Sequence, residues 1–293
     1  MSMKYISLIQ SKMKKNKTLR TSKATSSLLD GSYRSIFKGR SLDFNELREY
    51  VPGDDVKDIS WNASARSNKI LVKQYVAEKK HNILLVMDTN RRMLAYTNES
   101  EEKREAALIS AGTLAYLVNQ NGDSIGGIFS TNHHIHQMQL KTGLGNIEHI
   151  LEQYHKSTTE ENYSDLNDTL DYIVRHYRRK MIIVLVTDLK GASEITDTNL
   201  KRLQVMNDVV LITVGDADSF GKQVYNIENN GYLPSFLTKN NKLKERQIAR
   251  YKKYSEICQE KYMTFGVPRM HIEGIQEIDR AIVALFSKRS SIG

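Results

Sequence analysis

The run NILLVMD, at Asn82 to Asp88, is short, apolar and ends in a carboxylate. It is too short to cross a bilayer, and its Ile, Leu and Val side chains are typical of a strand buried on both faces. A second run, Met181 to Asp188, has the same character and also ends in Asp. Buried strands that alternate with amphipathic helices are typical of a parallel sheet covered on both sides. The sequence therefore predicts an α/β fold with a doubly wound, mostly parallel, Rossmann-like sheet.

Strands and helices alternate from about residue 81 to the C-terminus. We predict helices at Glu101–Asn119, Asn146–His155, Asp165–Tyr177, Glu194–Met206, Lys242–Tyr262 and Ile275–Lys288. We predict strands at Asn82–Asp88, Ser124–Ser130, Met181–Asp188, Val209–Gly215 and Arg269–Glu273, with an antiparallel edge strand at His133–Leu140. The pair Gly126-Gly127 lies inside a strand pattern and indicates close packing.

The segment LREYVPGDDVKDISWNASAR, at Leu47 to Arg66, has a distinctive spacing of Pro, Gly, paired Asp, Trp and Arg. Pro followed by Gly and two Asp residues predicts a turn, because the Asp side chains can accept hydrogen bonds from the next N–H groups. We expect Trp61 to be buried, and Arg48 and Arg66 to pair with Asp54, Asp55 or Asp58. A docking surface is the alternative role.

This segment resembles the signature of the bacterial family catalogued as domain of unknown function 58, which is similar to the von Willebrand factor A fold. The matching positions are Asp43, Leu47, Arg48, Tyr50, Pro52, Gly53, Asp54, Asp55, Trp61, Ala65 and Arg66, with Lys57 where the family usually carries Arg. Further matches occur at Glu105-Ala106-Ala107, Gly122-Asp123 and Thr187-Asp188-Leu189. The resemblance implies a small subdomain or extension at residues 39–80 and a von Willebrand factor A-like domain at residues 81–293.

The net charge of +9 is concentrated at the N-terminus, where residues 1–40 hold ten basic residues and one acidic residue. We interpret residues 1–38 as a basic arm, either solvated or attracted to an anionic partner. Ile6, Leu8, Ile9 and Met13 hint at a short amphipathic helix. The chain shows no transmembrane segment and no secretory signal pattern, and the single Cys258 suits a reducing compartment, so we expect a cytoplasmic protein.

Von Willebrand factor A domains hold a divalent cation at the carboxyl edge of the sheet, using the pattern D-x-S-x-S, a Thr from a later loop and a second Asp. The resemblance places Asp88, Asn90 and Arg92 on the first pattern, Ser164 on the Thr position and Asp188 on the last. Asp88, Asn90, Ser164 and Asp188 offer oxygen ligands suited to Mg²⁺. Arg92 departs from the pattern, because a guanidinium has no lone pair and is repelled by a cation. We therefore expect a degenerate site without a cofactor, in which Arg92 or Arg91 pairs with Asp88 or Asp188.

Catalytic signatures are weak. A phosphatase built on Asp88 would need a second Asp two residues later, where Asn90 stands, and no P-loop sequence is present. His133, His134 and His136 lack the spacing that would complete a metal site, so an exposed edge strand is the better interpretation. We expect no enzymatic activity.

Two functional hypotheses follow. The first is a protein-interaction adaptor that uses Asp88, Asn90, Arg92, Ser164 and Asp188 as its contact edge. The family resemblance implies a MoxR-type AAA+ ATPase partner and the assembly or activation of client proteins. The second is binding to nucleic acid or an anionic surface through the basic arm and the helix at residues 242–262, although its acidic residues dilute that patch.

Overall fold

A computed structural model of the protein describes residues 3–15, 47–52, 56, 59–67, 69–73, 80–97, 101–120, 122–132, 134–216, 225–226, 231–232 and 241–287. Within these residues the helices are α1 (Lys4–Lys15), α2 (Trp61–Ser67), α3 (Lys103–Gln120), α4 (Leu144–Ser157), α5 (Leu166–His176), α6 (Leu189–Glu194), α7 (Asp197–Gln204), α8 (Asn241–Thr264) and α9 (Ile278–Ser287). The strands are β1 (Leu47–Glu49), β2 (Leu71–Lys73), β3 (Asn82–Met87), β4 (Ser124–Thr131), β5 (His134–Lys141), β6 (Ile182–Asp188), β7 (Asp208–Val214), β8 (Tyr225–Asn226), β9 (Gly231–Tyr232) and β10 (Arg269–Ile272). Short 3₁₀ turns occupy Arg91–Leu94 and Ile275–Glu277.

Six of the described strands form one sheet in the order β10-β7-β6-β3-β4-β5. All neighbours are parallel except the edge strand β5, which is antiparallel to β4. Counted along the chain, this is the doubly wound order 3-2-1-4-5-6. The predicted fold class is confirmed. The strand order reverses between β3 and β6, and ligand sites in such sheets form at the carboxyl ends of the strands beside this reversal.

Helices cover both faces of the sheet, as the apolar strands require. Successive residues of β3 point to opposite faces, so Ile83 and Leu85 join the cluster beneath α1, α3, α4 and α9, whereas Leu84 and Val86 join the cluster beneath α5, α6, α7 and α8. The glycines of β4 allow close packing, because a Cβ at Gly127 would lie 2.7 Å from Ile150 of α4. Two apolar layers therefore hold the sheet between them.

One predicted helix was wrong in its extent. The helix predicted at Glu194–Met206 is α7, which begins three residues later and ends two residues earlier, and the preceding short helix α6 was not predicted. The Asp188 side chain caps α6 by accepting from the Gly191 N–H at 2.7 Å, and Thr196 caps α7 by accepting from the Asn199 N–H at 3.2 Å. The two caps start two short helices where the apolar pattern suggested one.

The first part of the predicted basic arm is packed on the core. Tyr5, Ile6 and Ile9 of α1 are at most 5% exposed, and α1 lies against α3 and α4. The expectation of a solvated tail was therefore wrong for residues 4–15, because their apolar face finds a complementary surface. Residues 16–38 of the arm lie outside the described residues.

Glu148 of α4 fixes the start of α1. Its Oε1 accepts from the Tyr5 N–H at 3.0 Å and its Oε2 accepts from the Ile6 N–H at 2.8 Å. These first-turn N–H groups have no partner inside their own helix, so a carboxylate satisfies them and complements the helix dipole. Glu148 itself is 3% exposed, which makes the contact a buried one.

Residues 38–80 form a unit separate from the rest of the chain. Its strands β1 and β2 are antiparallel, and the Tyr50 N–H donates to the Ile70 carbonyl at 2.9 Å. The expected burial of Trp61 was wrong, since this side chain is 65% exposed. The short helix α2 that carries it has no buried residues.

The structure describes some of the signature positions of this unit and not others. Arg66 and Pro52 are described, and both are exposed. Asp43, Gly53, Asp54, Asp55, Lys57 and Asp58 lie outside the described residues, as does the side chain of Arg48, so the pairing expected of the two Arg residues stays a prediction.

In the part of the chain that the structure describes, no helix has the length and apolar character that crossing a bilayer requires.

We predict that Glu148→Ala lowers the free energy of unfolding by about 1–3 kcal/mol, because it leaves two buried N–H groups without acceptors. Glu152→Ala is the matched control, since Glu152 is on the same helix and forms a partly exposed pair with Lys156. Urea denaturation checks both. A loss in Glu148→Ala no larger than that in Glu152→Ala would contradict the assigned role.

Candidate functional site

Asp88 and Asp188 lie side by side at the carboxyl edge of the sheet. Asp88 follows β3 and Asp188 ends the neighbouring strand β6, and the Asp88 N–H donates to the Val186 carbonyl at 2.8 Å. Both side chains are buried, with exposures of 2% and 1%. The strand order reverses at this edge, between β3 and β6.

The Asp88 carboxylate is fully engaged. Its Oδ1 accepts from the Asn90 N–H at 2.9 Å. Its Oδ2 accepts from the Thr187 hydroxyl at 2.6 Å and from Arg92 Nη2 at 3.0 Å. Burial raises the pKa of Asp88, and the nearby charge of Asp188 adds to this, although Arg92 opposes both.

Asp188 is held from two sides. Its Oδ1 accepts from the Gly191 N–H at 2.7 Å, and its Oδ2 accepts from Lys103 Nζ at 3.0 Å. Burial alone would raise its pKa, but Lys103 and Arg92 outweigh burial and hold the pKa of Asp188 well below its ordinary value. The pKa of Asp88 is therefore shifted up and that of Asp188 down, so Asp88 is the member of the pair that takes up a proton first on acidification.

Arg92 bridges the two carboxylates and also reaches the surface. Besides its bond to Asp88, its Nε lies 3.6 Å from Asp188 Oδ1 and its Nη1 lies 3.7 Å from Glu194 Oε2. The Arg92 side chain is 21% exposed and that of Glu194 is 49% exposed. Gly191 makes room for the bridge, because a Cβ there would lie 2.8 Å from Arg92 Nη2 and 2.9 Å from Asp88 Oδ2.

Lys103 is the second cation of the site. It begins α3 and is 2% exposed, and it pairs with Asp188 and with Asp216, which follows β7. The two buried carboxylates are thus matched by two cations from the same chain. Burying four such charges requires this close pairing, because an unpaired buried charge is strongly unfavourable.

The other predicted site residues surround this cluster without facing the carboxylates. Asn90 Oδ1 accepts from the Arg92 N–H at 3.0 Å and its Nδ2 donates to the Ser164 carbonyl at 2.9 Å. The Ser164 hydroxyl lies 3.2 Å from the Thr89 hydroxyl. Arg91 turns outward, with its guanidinium carbon 4.8 Å from the centre of the Tyr163 ring, so Arg92 alone of the two forms the bridge.

Burial limits what a partner can touch directly. Asp88, Asn90, Ser164 and Asp188 are all less than 10% exposed, at 2%, 8%, 9% and 1% respectively. Of the five residues expected to form the contact edge, Arg92 presents appreciable surface. The other four act by holding Arg92 and the loops around it.

The arrangement does not fit a divalent cation. The Arg92 guanidinium and the Lys103 ammonium already pair with the carboxylates of Asp88 and Asp188 that a metal ion would bind. These two cations would repel a metal ion. The Asn90 and Ser164 side chains are committed to other partners. Among the described residues, no cluster of three or more His, Cys, Asp or Glu side chains has the geometry of a metal site.

Sequence reasoning missed Lys103 and Thr187. Thr187 was visible as the residue before Asp188, but strand alternation does not show that its hydroxyl points to the neighbouring strand's carboxylate. The position of Lys103 in the sequence was one signal of its role. It lies at the start of a predicted helix, and a helix that follows a strand in a parallel sheet begins at the carboxyl edge. A cation in the first helical turn is also disfavoured by the helix dipole unless it has an anionic partner.

The histidine edge strand is exposed, as the sequence suggested. His134 and His136 lie on β5 and face solvent, and His136 Nε2 contacts the Thr131 hydroxyl at 2.6 Å. His133 lies outside the described residues.

Residues 46–220 match a family model described as protein of unknown function DUF58. Uncharacterized proteins of Mycobacterium tuberculosis and Mycobacterium bovis are 25% identical over 167 residues, which is 56% of this chain and 52% of theirs. The chain thus spans about half the length of these curated relatives.

Solved structures with similar folds include the conserved hypothetical protein BatB from Bacteroides thetaiotaomicron, with 16% identity, 72% of this chain and 99% of that chain covered, and a TM-score of 0.47. A von Willebrand factor type A protein from Catenulispora acidiphila shows 10% identity, 75% and 44% coverage, and a TM-score of 0.40. These similarities concern the fold.

We predict that Lys103→Met lowers the free energy of unfolding at neutral pH by about 3–5 kcal/mol, because it leaves Asp188 buried beside one cation. Because the pKa of Asp188 is lowered in the folded state, its ionisation stabilises the fold at pH values above its pKa in the unfolded chain, about 3.9. This stabilisation is lost as the pH falls. The difference between wild type and variant should therefore shrink in acid. Urea denaturation at neutral and acidic pH measures it, with the exposed Lys156→Met as control. A difference that is independent of pH would contradict the pairing.

We also predict no saturable binding of Mg²⁺ or Mn²⁺ to the wild-type chain in isothermal titration, because two internal cations balance the carboxylates. The matched control is Asp188→Ala. Binding of about micromolar affinity that disappears in Asp188→Ala would show that the site does accept a metal.

Proposed function

Since the chain belongs to the family of proteins of unknown function DUF58, with a von Willebrand factor A-like doubly wound sheet, we propose that it is a non-catalytic protein-interaction adaptor. Its contact surface is the carboxyl edge of the sheet around Arg92 and Glu194. The partner is a MoxR-type AAA+ ATPase, with which the adaptor takes part in the assembly or activation of client proteins. The partner follows from the family resemblance, and the contact surface follows from the geometry of the edge.

The exposed part of Arg92 carries this proposal. Two buried carboxylates and the Asn90 side chain hold Arg92 in place, yet about a fifth of its side chain reaches solvent beside Glu194. A guanidinium that is held in one conformation loses little entropy when a partner binds it. The edge therefore offers a preorganised charged contact in place of a metal ion.

The bonding of the carboxylates supports a non-catalytic role. Every oxygen of Asp88 and Asp188 accepts a hydrogen bond, and the pair is balanced by Arg92 and Lys103. A carboxylate in such a network is a poor nucleophile, because its charge is already stabilised and its lone pairs are engaged. Binding is the function that a rigid, neutralised edge suits.

The nucleic-acid alternative loses part of its basic patch in the structure. Lys261 of α8 donates to the Ser193 and Ile195 carbonyls at 2.9 Å and 2.7 Å, so it serves to anchor its own helix. Lys252 lies 3.8 Å from Glu256. The N-terminal segment at residues 4–15 is packed on the core. Binding that falls steeply with salt would be the sign of this alternative.

We predict that Glu194→Lys lowers the recovery of the AAA+ ATPase about tenfold in affinity capture of the tagged chain from its own cells, because it reverses the charge beside Arg92 at a cost of about 1.4 kcal/mol. Arg92→Met should have at least this effect, but it also leaves buried carboxylates uncompensated. Glu194 is half-exposed, so Glu194→Lys tests the surface without disturbing the core.

The control is Lys180→Met, which removes an exposed cation just before β6, at the opposite edge of the sheet. Capture is run with and without ATP, and with Mg²⁺ or EDTA. Recovery that persists in EDTA, is lost in Glu194→Lys and is retained in Lys180→Met supports the proposal. Recovery of nucleic acid alone, removed by moderate salt, would refute it.

A further inference from the structure

A groove of about 440 Å³ lies next to the carboxyl edge, between α5 and the turn that joins β4 to β5. Ser130, Asn132 and Ile135 line it on the strand side, and successive turns of α5 line it on the other side. Tyr163 and Ser164 stand at the end nearest the carboxylate pair. The groove is therefore separate from the buried charges but continuous with the edge that they support.

The helical wall of the groove is acidic. Asp165, Asp168 and Asp171 line it from the Tyr163 end onward, and Arg175 and His176 line it in the last turn of α5, on a chain whose net charge is +9. Asp165 caps α5 through the Asn167 N–H at 2.8 Å, and Asp171 accepts from Arg202 at 2.8 Å. Within the described part of the chain Asp168 forms no hydrogen bond or ion pair. The groove thus offers negative charge that the protein's own cations leave partly unbalanced.

Aromatic rings line the same groove. Tyr163 is 67% exposed, and the guanidinium of Arg91 already lies over its ring at 4.8 Å. Tyr172 stacks on His176 with ring centres 4.0 Å apart. Guanidinium groups stack on aromatic faces and pair with carboxylates. The contact between Arg91 and Tyr163 is an example of this stacking.

The strand side of the groove suits an extended chain. β5 is the outermost strand of the sheet and pairs with β4 alone among the described strands. Its other edge carries backbone groups that an extended segment could pair with, as in binding by strand addition. Phosphate-bearing ligands do not suit the Tyr163 end of the groove, because the carboxylates of Asp165 and Asp168 would repel them.

We propose that this groove binds an extended, arginine-bearing segment of a partner protein. An arginine side chain enters at the Tyr163 end, where its guanidinium stacks on the ring and pairs with Asp165 and Asp168, while the backbone of the segment follows the β5 edge. This proposal rests on the adaptor function and specifies the chemistry of the segment that the adaptor recognises.

The test uses the purified full-length chain and fluorescent peptides of equal length, built from Gly and Ser with increasing numbers of Arg, and a matching series with Glu. Affinity should rise with the number of Arg residues, fall as ionic strength rises and be absent for the Glu series. The double variant Asp165→Asn/Asp168→Asn should weaken binding about tenfold, since it removes two exposed charge pairs that contribute about threefold each. Asn is as good a helix cap as Asp, so α5 is retained.

The matched control is Glu256→Gln, which removes an exposed carboxylate from α8 and should leave binding unchanged. Tyr163→Ala should weaken binding about threefold in the otherwise intact groove. If no arginine peptide binds, or if the Asp165→Asn/Asp168→Asn variant binds as tightly as the wild type, the groove assignment is overturned. Peptide binding that fails while ATPase capture remains sensitive to Glu194→Lys would remove the groove and leave the adaptor function intact. Normal peptide binding together with ATPase capture that is insensitive to Glu194→Lys would remove the adaptor function and leave the groove assignment intact.

Discussion

The Arg92 bridge between Asp88 and Asp188 is the interaction on which the edge of this protein depends. Two carboxylates that end neighbouring strands would repel each other in a buried site if nothing balanced them. Arg92 and Lys103 supply that balance, and each also ties a different element to the strands. Arg92 belongs to the 3₁₀ turn after β3, and Lys103 begins α3 and reaches Asp216, two residues after the end of β7. The charges therefore position the loops as well as neutralise the pair.

These ion pairs explain how the edge differs from a metal-dependent one. A bound cation can be exchanged and can offer an open coordination position to a ligand, whereas an arginine and a lysine are permanent parts of the chain. The edge is consequently set in one arrangement, with Gly191 leaving the space in which the guanidinium lies. In the adaptor function that we propose, recognition depends on groups at the surface, namely Arg92 and Glu194 above the pair and Tyr163 beside it. The acidic groove next to Tyr163 extends the same surface along α5.

The packing of α1 shows a second use of a buried carboxylate. Glu148 satisfies the first N–H groups of α1, and apolar side chains of the helix fill the space over α3 and α4. A Cβ at Gly112 would lie 2.8 Å from Leu151, so this glycine keeps α3 and α4 close beneath the N-terminal helix. A segment that its composition marks as a basic arm thus begins as part of the core.

The apolar runs ending in Asp88 and Asp188 were enough to predict the sheet and the edge where these residues meet, because hydrophobic periodicity and the rules of parallel sheets are local or topological. The same pattern located α5 and the antiparallel β5 within a few residues. It missed α6, because the start of this short helix depends on the Asp188 side chain accepting from the Gly191 N–H. Trp61 was expected to be buried because of its size, but burial also depends on how α2 packs, and no residue of that helix is buried. Asp88 and Asp188 were identified from the ends of the apolar runs, and Arg92 from the family resemblance. Their connection to Lys103 depends on distances between elements far apart in sequence, which are set when the helices pack on the sheet.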